Sequence, residues 1–322
     1  MTAPSSKASS MISVSETLKH LSILGVALLA ASAAGCGATQ PQVRGPDGEA
    51  LDADQRRRLL ARAHDSWEDR LARADLEAAI ETYRRVAGTQ PAAEKTGESR
   101  DTWRPAQLWT RIARGYQFRA DAHLSDAQTE AIRDNHARGI DAAKRAIKAA
   151  APALGDALDG KGDLKAALDE NSGLPSAAAP GLYWYAIHLG QWGQTQGMFT
   201  LMKYRSDIES AMTFVRDNRP EYFYGACFRY FGTYWTRLPM GKKPDRSRQN
   251  FDRAIEIAPS FLASKVLKAK HYATLAGDRK LFERLLRDVL EADLDAAPAV
   301  RAENTIAQRQ AEKLLERADE LF

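Results

Sequence analysis

The chain has 322 residues, 44% of them hydrophobic and 27% charged, with 46 Lys and Arg against 42 Asp and Glu for a formal net charge of +4. This near balance, with no basic stripe interleaved with aromatics, argues against nucleic acid as a partner. Ala, Leu, Arg, Glu and Asp dominate while strand formers are scarce, and two cysteines cannot build a disulfide framework, so the expected fold is all-α.

At the N-terminus, Lys19 and His20 lead into a charge-free, mostly apolar run from Leu21 to Ala34. A bilayer span needs about 20 apolar residues, so this shorter run reads as the core of a signal peptide. The Ala33-Ala34-Gly35-Cys36 that follows resembles a bacterial lipobox, with Ala33 where Leu is usual. Residues 1–35 are therefore predicted to be a lipoprotein signal peptide, whether Met1 or Met11 is the start, and Cys36 the lipid-bearing first residue of the mature chain. Several acyl chains on one residue hold a protein stably at a membrane. The only other cysteine is Cys227, so an acylated Cys36 leaves no intramolecular disulfide. Gly37 stands where Asp would signal inner-membrane retention. The expectation is a periplasmic-side envelope protein, at the outer membrane rather than the inner. Residues 36–51, rich in Gly, Pro and polar side chains, read as a flexible tether, and 52–322 as the folded domain.

The first helix expected in that domain carries Leu60, His64 and Trp67 on one face. The next has small, aromatic, small and Pro at Ala79, Tyr83, Val86 and Pro91. This is the spacing of a tetratricopeptide second helix, in which a small residue admits the neighbouring helix and the aromatic fills the gap. The same offsets recur at Ser247, Phe251, Ala254 and Pro259. Between these units, helices are predicted from Pro105 to Leu124 and from about residue 126 to Ala151. Another opens at Pro180-Gly181, and a further one runs from Arg205 to Arg216. The stretch ending at Pro239 precedes the second unit. A pair follows it, Phe261 to Leu275 and Lys280 to Leu290, broken at Gly277-Asp278. A final helix from Val300 to Phe322 shows Ala307, Ala311, Leu314, Ala318 and Leu321 on one side, with Glu312, Arg317 and Asp319 on its polar side, as a capping helix requires.

Of the 26 aromatic residues, 15 lie between Tyr183 and Trp235. Neighbouring helix positions differ by about 100°, so Tyr183, Trp184 and Tyr185 point in three directions that one packed face cannot absorb. At least one is expected to face a groove, a pore or another subunit. Tyr183, Trp184, Trp192, Tyr234 and Trp235 are the candidate ligand- or partner-binding residues. His64, His123, His136, His188 and His271 show no metal-ligand spacing, so no metal is expected. "DGKGD" at 159–163 lacks the glycine and the Ser or Thr of a phosphate loop, and no nucleophile elbow occurs. Neither a cofactor nor catalytic residues are predicted.

Four stretches carry a resemblance: "LYWYAIHLGQW", "YGACFRYFGTYWTRLPMGKKPDRSRQNFDRAIEIAPS", "LAGDRKLFERLLRDVL" and the terminal "RAENTIAQRQAEKLLERADELF". In order and spacing they resemble the T component of TRAP (tripartite ATP-independent periplasmic) transporters, the TatT family, from about Asp52 to the C-terminus. The resemblance implies a tetratricopeptide-like α-solenoid with a capping helix. It also implies a trimer with a central pore, a substrate-binding protein as partner, and a role with a hydrophobic ligand. It carries over no catalytic residue, and "GKKPD" departs from the Gly-Gly-Asp-like turn expected there. Two rival readings remain: a tetratricopeptide lipoprotein scaffold in outer-membrane protein assembly or envelope secretion, and an envelope hydrolase on a helical scaffold. Gene neighbours would separate the first from a transporter role.

Overall fold

The computed structural model describes residues 51–89, 104–125, 127–170, 173–238 and 240–322. The signal segment, Cys36, most of the tether, Pro91 and Pro239 lie outside the described residues.

Helix α1, Ala53–Glu68, starts at a capping box: the Gln55 N–H donates to the Asp52 carboxylate at 2.7 Å, and the Asp52 N–H donates to the Gln55 side chain at 3.1 Å. It buries Leu60, Ala63 and Trp67 against α2, Arg73–Gly88, whose buried stripe includes Ala79, Tyr83 and Val86. Pro105 opens α3, Pro105–His123, at the position where a missing N–H costs nothing. Helix α4, Thr129–Ala150, stops ahead of Pro152. Two short helices, α5 (Gly155–Leu158) and α6 (Leu164–Glu170), flank the turn at 159–163. Then come α7 (Ala179–Gln196), α8 (Met198–Lys203), α9 (Arg205–Asn218), α10 (Tyr222–Arg237) and α11 (Pro244–Ile257). Next, α12 (Ala263–Leu267) continues through a π turn, Lys268–Ala273, into α13 (Thr274–Ala276). Gly277, in the left-handed region at φ 65°, ends it, and the Asp278 side chain caps α14, Arg279–Leu290, at the Leu281 N–H. The expected final helix is two: α15, Arg301–Glu316, and α16, Ala318–Leu321.

No strand occurs among the described residues. Successive helices pack in order, α1 on α2 on α3 on α4, then α7 and α9, α10 on α11, and α14 on α15. This is the neighbour-to-neighbour arrangement of an α-solenoid. The two repeat units read from spacing have Ala79, Tyr83, Val86, Ser247, Phe251 and Ala254 all fully buried.

One departure concerns α7. It is packed against α3, α4, α9 and α10, so no residue of it before Gln191 is exposed, and Tyr183, Trp184 and Tyr185 are all buried within the protomer. Three ring directions are absorbed there because the helix packs against several neighbours, not one.

Candidate functional site

The first turn of α10 is bent into the left-handed region at three consecutive residues: Phe223 (φ 45°, ψ 51°), Tyr224 (φ 62°, ψ 45°) and Gly225 (φ 72°, ψ 33°). For residues with a Cβ this costs about 1–2 kcal/mol each, and such outliers concentrate at functional sites. Gly225 also admits a close approach, since a Cβ there would lie 3.2 Å from the Ala254 backbone of α11. The bend is held from inside by Arg229, whose buried guanidinium donates to the Phe223 carbonyl at 2.6 Å and to the Tyr224 carbonyl, and lies 4.4 Å from the Phe261 ring centre. The Tyr224 ring stacks on Phe261 at 4.8 Å. Phe223 is thereby turned among Trp184 at 5.0 Å, Phe261 at 5.4 Å and Tyr183 at 6.1 Å, with the Arg114 guanidinium 4.8 Å from its ring.

Facing this bend is a stripe of α3. Arg111, Arg114, Phe118 and Asp121 follow one another at helical spacing along one face. The guanidiniums of Arg70, Arg111 and Arg114 lie 5.0, 4.6 and 5.2 Å from the Trp67 ring. One carboxylate meets them: Glu303, from α15, pairs with Arg70 at 2.7 Å and with Arg114. Burial alone would raise the Glu303 carboxyl, but Arg114 and Arg70 outweigh it and hold the group below its ordinary value. Burial above all, and then neighbouring Arg114, push Arg111 down to about 10. The Nε atoms of Arg70 and Arg114 find no hydrogen-bond partner among the described residues.

At the end of the stripe Asp121 accepts from Gln117 at 2.9 Å, and desolvation by surrounding protein pushes its carboxyl up to about 6. Together these residues form a bowl of packed aromatic rings with arginines along one wall, which sets cationic groups beside apolar ring faces.

The five aromatic candidates divide into two groups. Tyr183 and Trp184 lie behind the bowl, with the Trp184 indole donating to the Tyr222 hydroxyl at 2.8 Å. Trp192, Tyr234 and Trp235 lie toward the other end of the same helices. There Trp192 meets Tyr204 at 6.1 Å, Tyr234 bonds to Arg205 and Glu209, and Lys243 and Arg246 sit over Trp235. Trp192 is buried, while Tyr234 and Trp235 are half-buried.

Spacing also missed a buried imidazole pair. His136 and His188 face each other Nδ1 to Nδ1 at 2.9 Å, and His188 Nε2 is 2.9 Å from the Ala113 carbonyl. That carbonyl only accepts, so neutral His188 carries its proton on Nε2 and His136 donates from Nδ1. Burial holds His136 down to about 3 and His188 and His271 down to about 4. Above an ordinary histidine value of about 6.5 both the folded and unfolded states are neutral, and stability is full. As pH falls toward 4 the unfolded chain takes up protons that the fold refuses. Each imidazole then removes up to about 1.4 kcal/mol per pH unit. Asp121, raised, offsets one such proton between about 4 and 6. Denaturant midpoints should drop steeply between pH 7 and pH 5. The drop should be shallower in a His136→Leu, His188→Leu chain; equal slopes would contradict a neutral buried pair.

Among the described residues no group of three or more His, Cys, Asp or Glu is placed to hold a metal. Residues that build the bowl but escaped the sequence reading are Arg70, Arg111, Arg114, Phe223, Arg229 and Glu303. Two carried a signal: Arg229 lies in the block "YGACFRYFGTYWTRLP" and Glu303 in the terminal block "RAENTIAQ". In the latter Asn304 also pins α15, its side-chain oxygen accepting from the Leu262 N–H at 3.0 Å and its nitrogen donating to the Ser260 carbonyl at 2.9 Å.

A family model described as TRAP transporter T-component matches residues 104–322, which include the α3 stripe, the left-handed bend and Glu303. No curated protein matches the chain.

Proposed function

The chain belongs to the TRAP transporter T-component family, and from that membership we propose that it is a lipid-anchored accessory protein which binds the substrate-binding protein of its transport system at the bowl, where an apolar ligand is also taken. Membership makes it a component associated with a TRAP transport system at the cell envelope. No helix among the described residues is long and apolar enough to cross a membrane. An anchor at Cys36, on the outer membrane, is the attachment we propose. A trimer is the assembly that the family resemblance implies.

The observation that carries the reading is the left-handed bend that turns Phe223 among aromatic rings and against the Arg114 guanidinium. Strain of this kind persists only where its surroundings enforce it, and a binding scaffold needs a shaped concave surface, with no catalytic group. Nothing in the comparison favours a role in outer-membrane assembly or secretion. The test is capture of the substrate-binding protein of the same TRAP system from envelope extracts. Wild type should retain it and Phe223→Ala should not, whereas equal retention, or none by the wild type, counts against the reading.

Anchoring has a separate test. Metabolic labelling with a radioactive fatty acid should mark the wild-type protein and leave Cys36→Ser unmarked. An unlabelled wild type would remove the anchor and leave the bowl untouched.

A further inference from the structure

The end of the array where α7 and α10 terminate exposes four large apolar side chains. Helix α8 presents Met198, Phe199 and Met202 at 63%, 95% and 49% exposure, and Met240 in the loop after α10 is at 88%. Two contacts put them on one end. Arg237, the last residue of α10, lies 3.4 Å from the Gln194 side chain near the end of α7, just before Gly197 (φ 98°) turns the chain into α8. The Lys243 N–H donates to the Trp235 carbonyl at 2.9 Å and folds the loop back onto α10.

The segments that carry these side chains are basic. Segments 197–204 and 237–244 hold Lys203, Arg237, Lys242 and Lys243 and no acidic residue. Behind them stand Trp192 and Tyr204, and the half-buried pair Tyr234 and Trp235 at 5.0 Å. The cores of protein interfaces are depleted in Lys, whereas a bilayer surface accepts Met and Phe beside lysines that reach the headgroups, over a layer of Tyr and Trp. We propose that this end lies on the surface of an anionic bilayer, with Phe199 and the three methionines in the headgroup layer and the four basic side chains on lipid phosphates. Such a contact fixes how the bowl is presented, a constraint that a tether alone does not supply.

The test uses the full chain carrying Cys36→Ser, so that no acyl group at that position contributes, with a nitrobenzoxadiazole label on Met198→Cys; Cys227 is buried and does not compete. A second chain carries the label on Glu312→Cys, at an exposed position of α15. Vesicles of phosphatidylethanolamine with phosphatidylglycerol, or of phosphatidylcholine alone, contain a doxyl-lipid quencher. The apolar run at 21–34 holds both chains on a vesicle equally, so the label position decides. The label at 198 should shift to the blue and be quenched several-fold more on phosphatidylglycerol vesicles than on phosphatidylcholine, and the label at 312 on neither. Phe199→Asp, or Lys242→Glu with Lys243→Glu, should abolish most of that response while circular dichroism stays helical. No vesicle response at 198 in a helical chain overturns the proposal. So does a shift at 198 that appears without vesicles on raising protein concentration, which assigns the face to a second copy, or on adding the substrate-binding protein alone.

Discussion

Ala254→Arg is expected to lower the melting temperature by about 10 °C or more. Ala254 is fully buried where α11 crosses α10, directly under the left-handed Gly225. Two turns further along α10 the contact is closer still, since a Cβ on Gly232 would lie 2.8 Å from the Phe251 ring, and the Ser247 hydroxyl donates to the Gly232 carbonyl at 2.7 Å. Overpacking such a crossing costs about 1–3 kcal/mol, and an unpaired buried charge adds more. In a domain of this size each kcal/mol moves the melting temperature by about 2–4 °C. Glu312→Arg, at an exposed position of α15, should move it by less than about 2 °C. Thermal melts of the two variants side by side decide the matter, and equal shifts would contradict the crossing.

Glu303→Ala carries the second large effect. Its carboxylate pairs with both Arg70, 3% exposed, and Arg114, 18% exposed. Removing one member of a buried ionic group leaves the others desolvated and unpaired, at about 3–5 kcal/mol. The loss should fall on the contact between α15 and the first helices. Replacing all three residues by Leu should destabilise less than Glu303→Ala, because no unpaired charge remains. Urea unfolding of the wild type, Glu303→Ala and the triple Leu chain measures both effects. A single Glu303→Ala change that costs less than the triple replacement would contradict the charge argument.

The parts legible in sequence were those set by local periodicity. Ala79 and Tyr83, and Ser247, Phe251 and Ala254, announce buried crossings by spacing alone, and Gly277-Asp278 announces a stop followed by a cap. The bowl was not legible, because Arg70, Arg114, Phe223 and Glu303 come together only once the array has folded. The left-handed bend showed nothing beforehand except a glycine at 225, since Phe223 and Tyr224 are held there by Arg229 and Phe261 rather than by their own preference. Trp184 illustrates the limit of counting rings. Ring density makes it a binding candidate, yet at 2% exposure its truncation would lower stability as well as any binding.

The most direct test of the central claim is a calorimetric titration of the intact protein with the substrate-binding protein of its own TRAP system. A saturable heat is predicted for the wild type. Phe223→Ala should weaken it by about 2 kcal/mol, the scale of an aromatic anchor at an interface. No heat with a folded wild-type protein, or an affinity unchanged by Phe223→Ala in a chain that keeps its helical content, would contradict the assignment of the bowl to that partner.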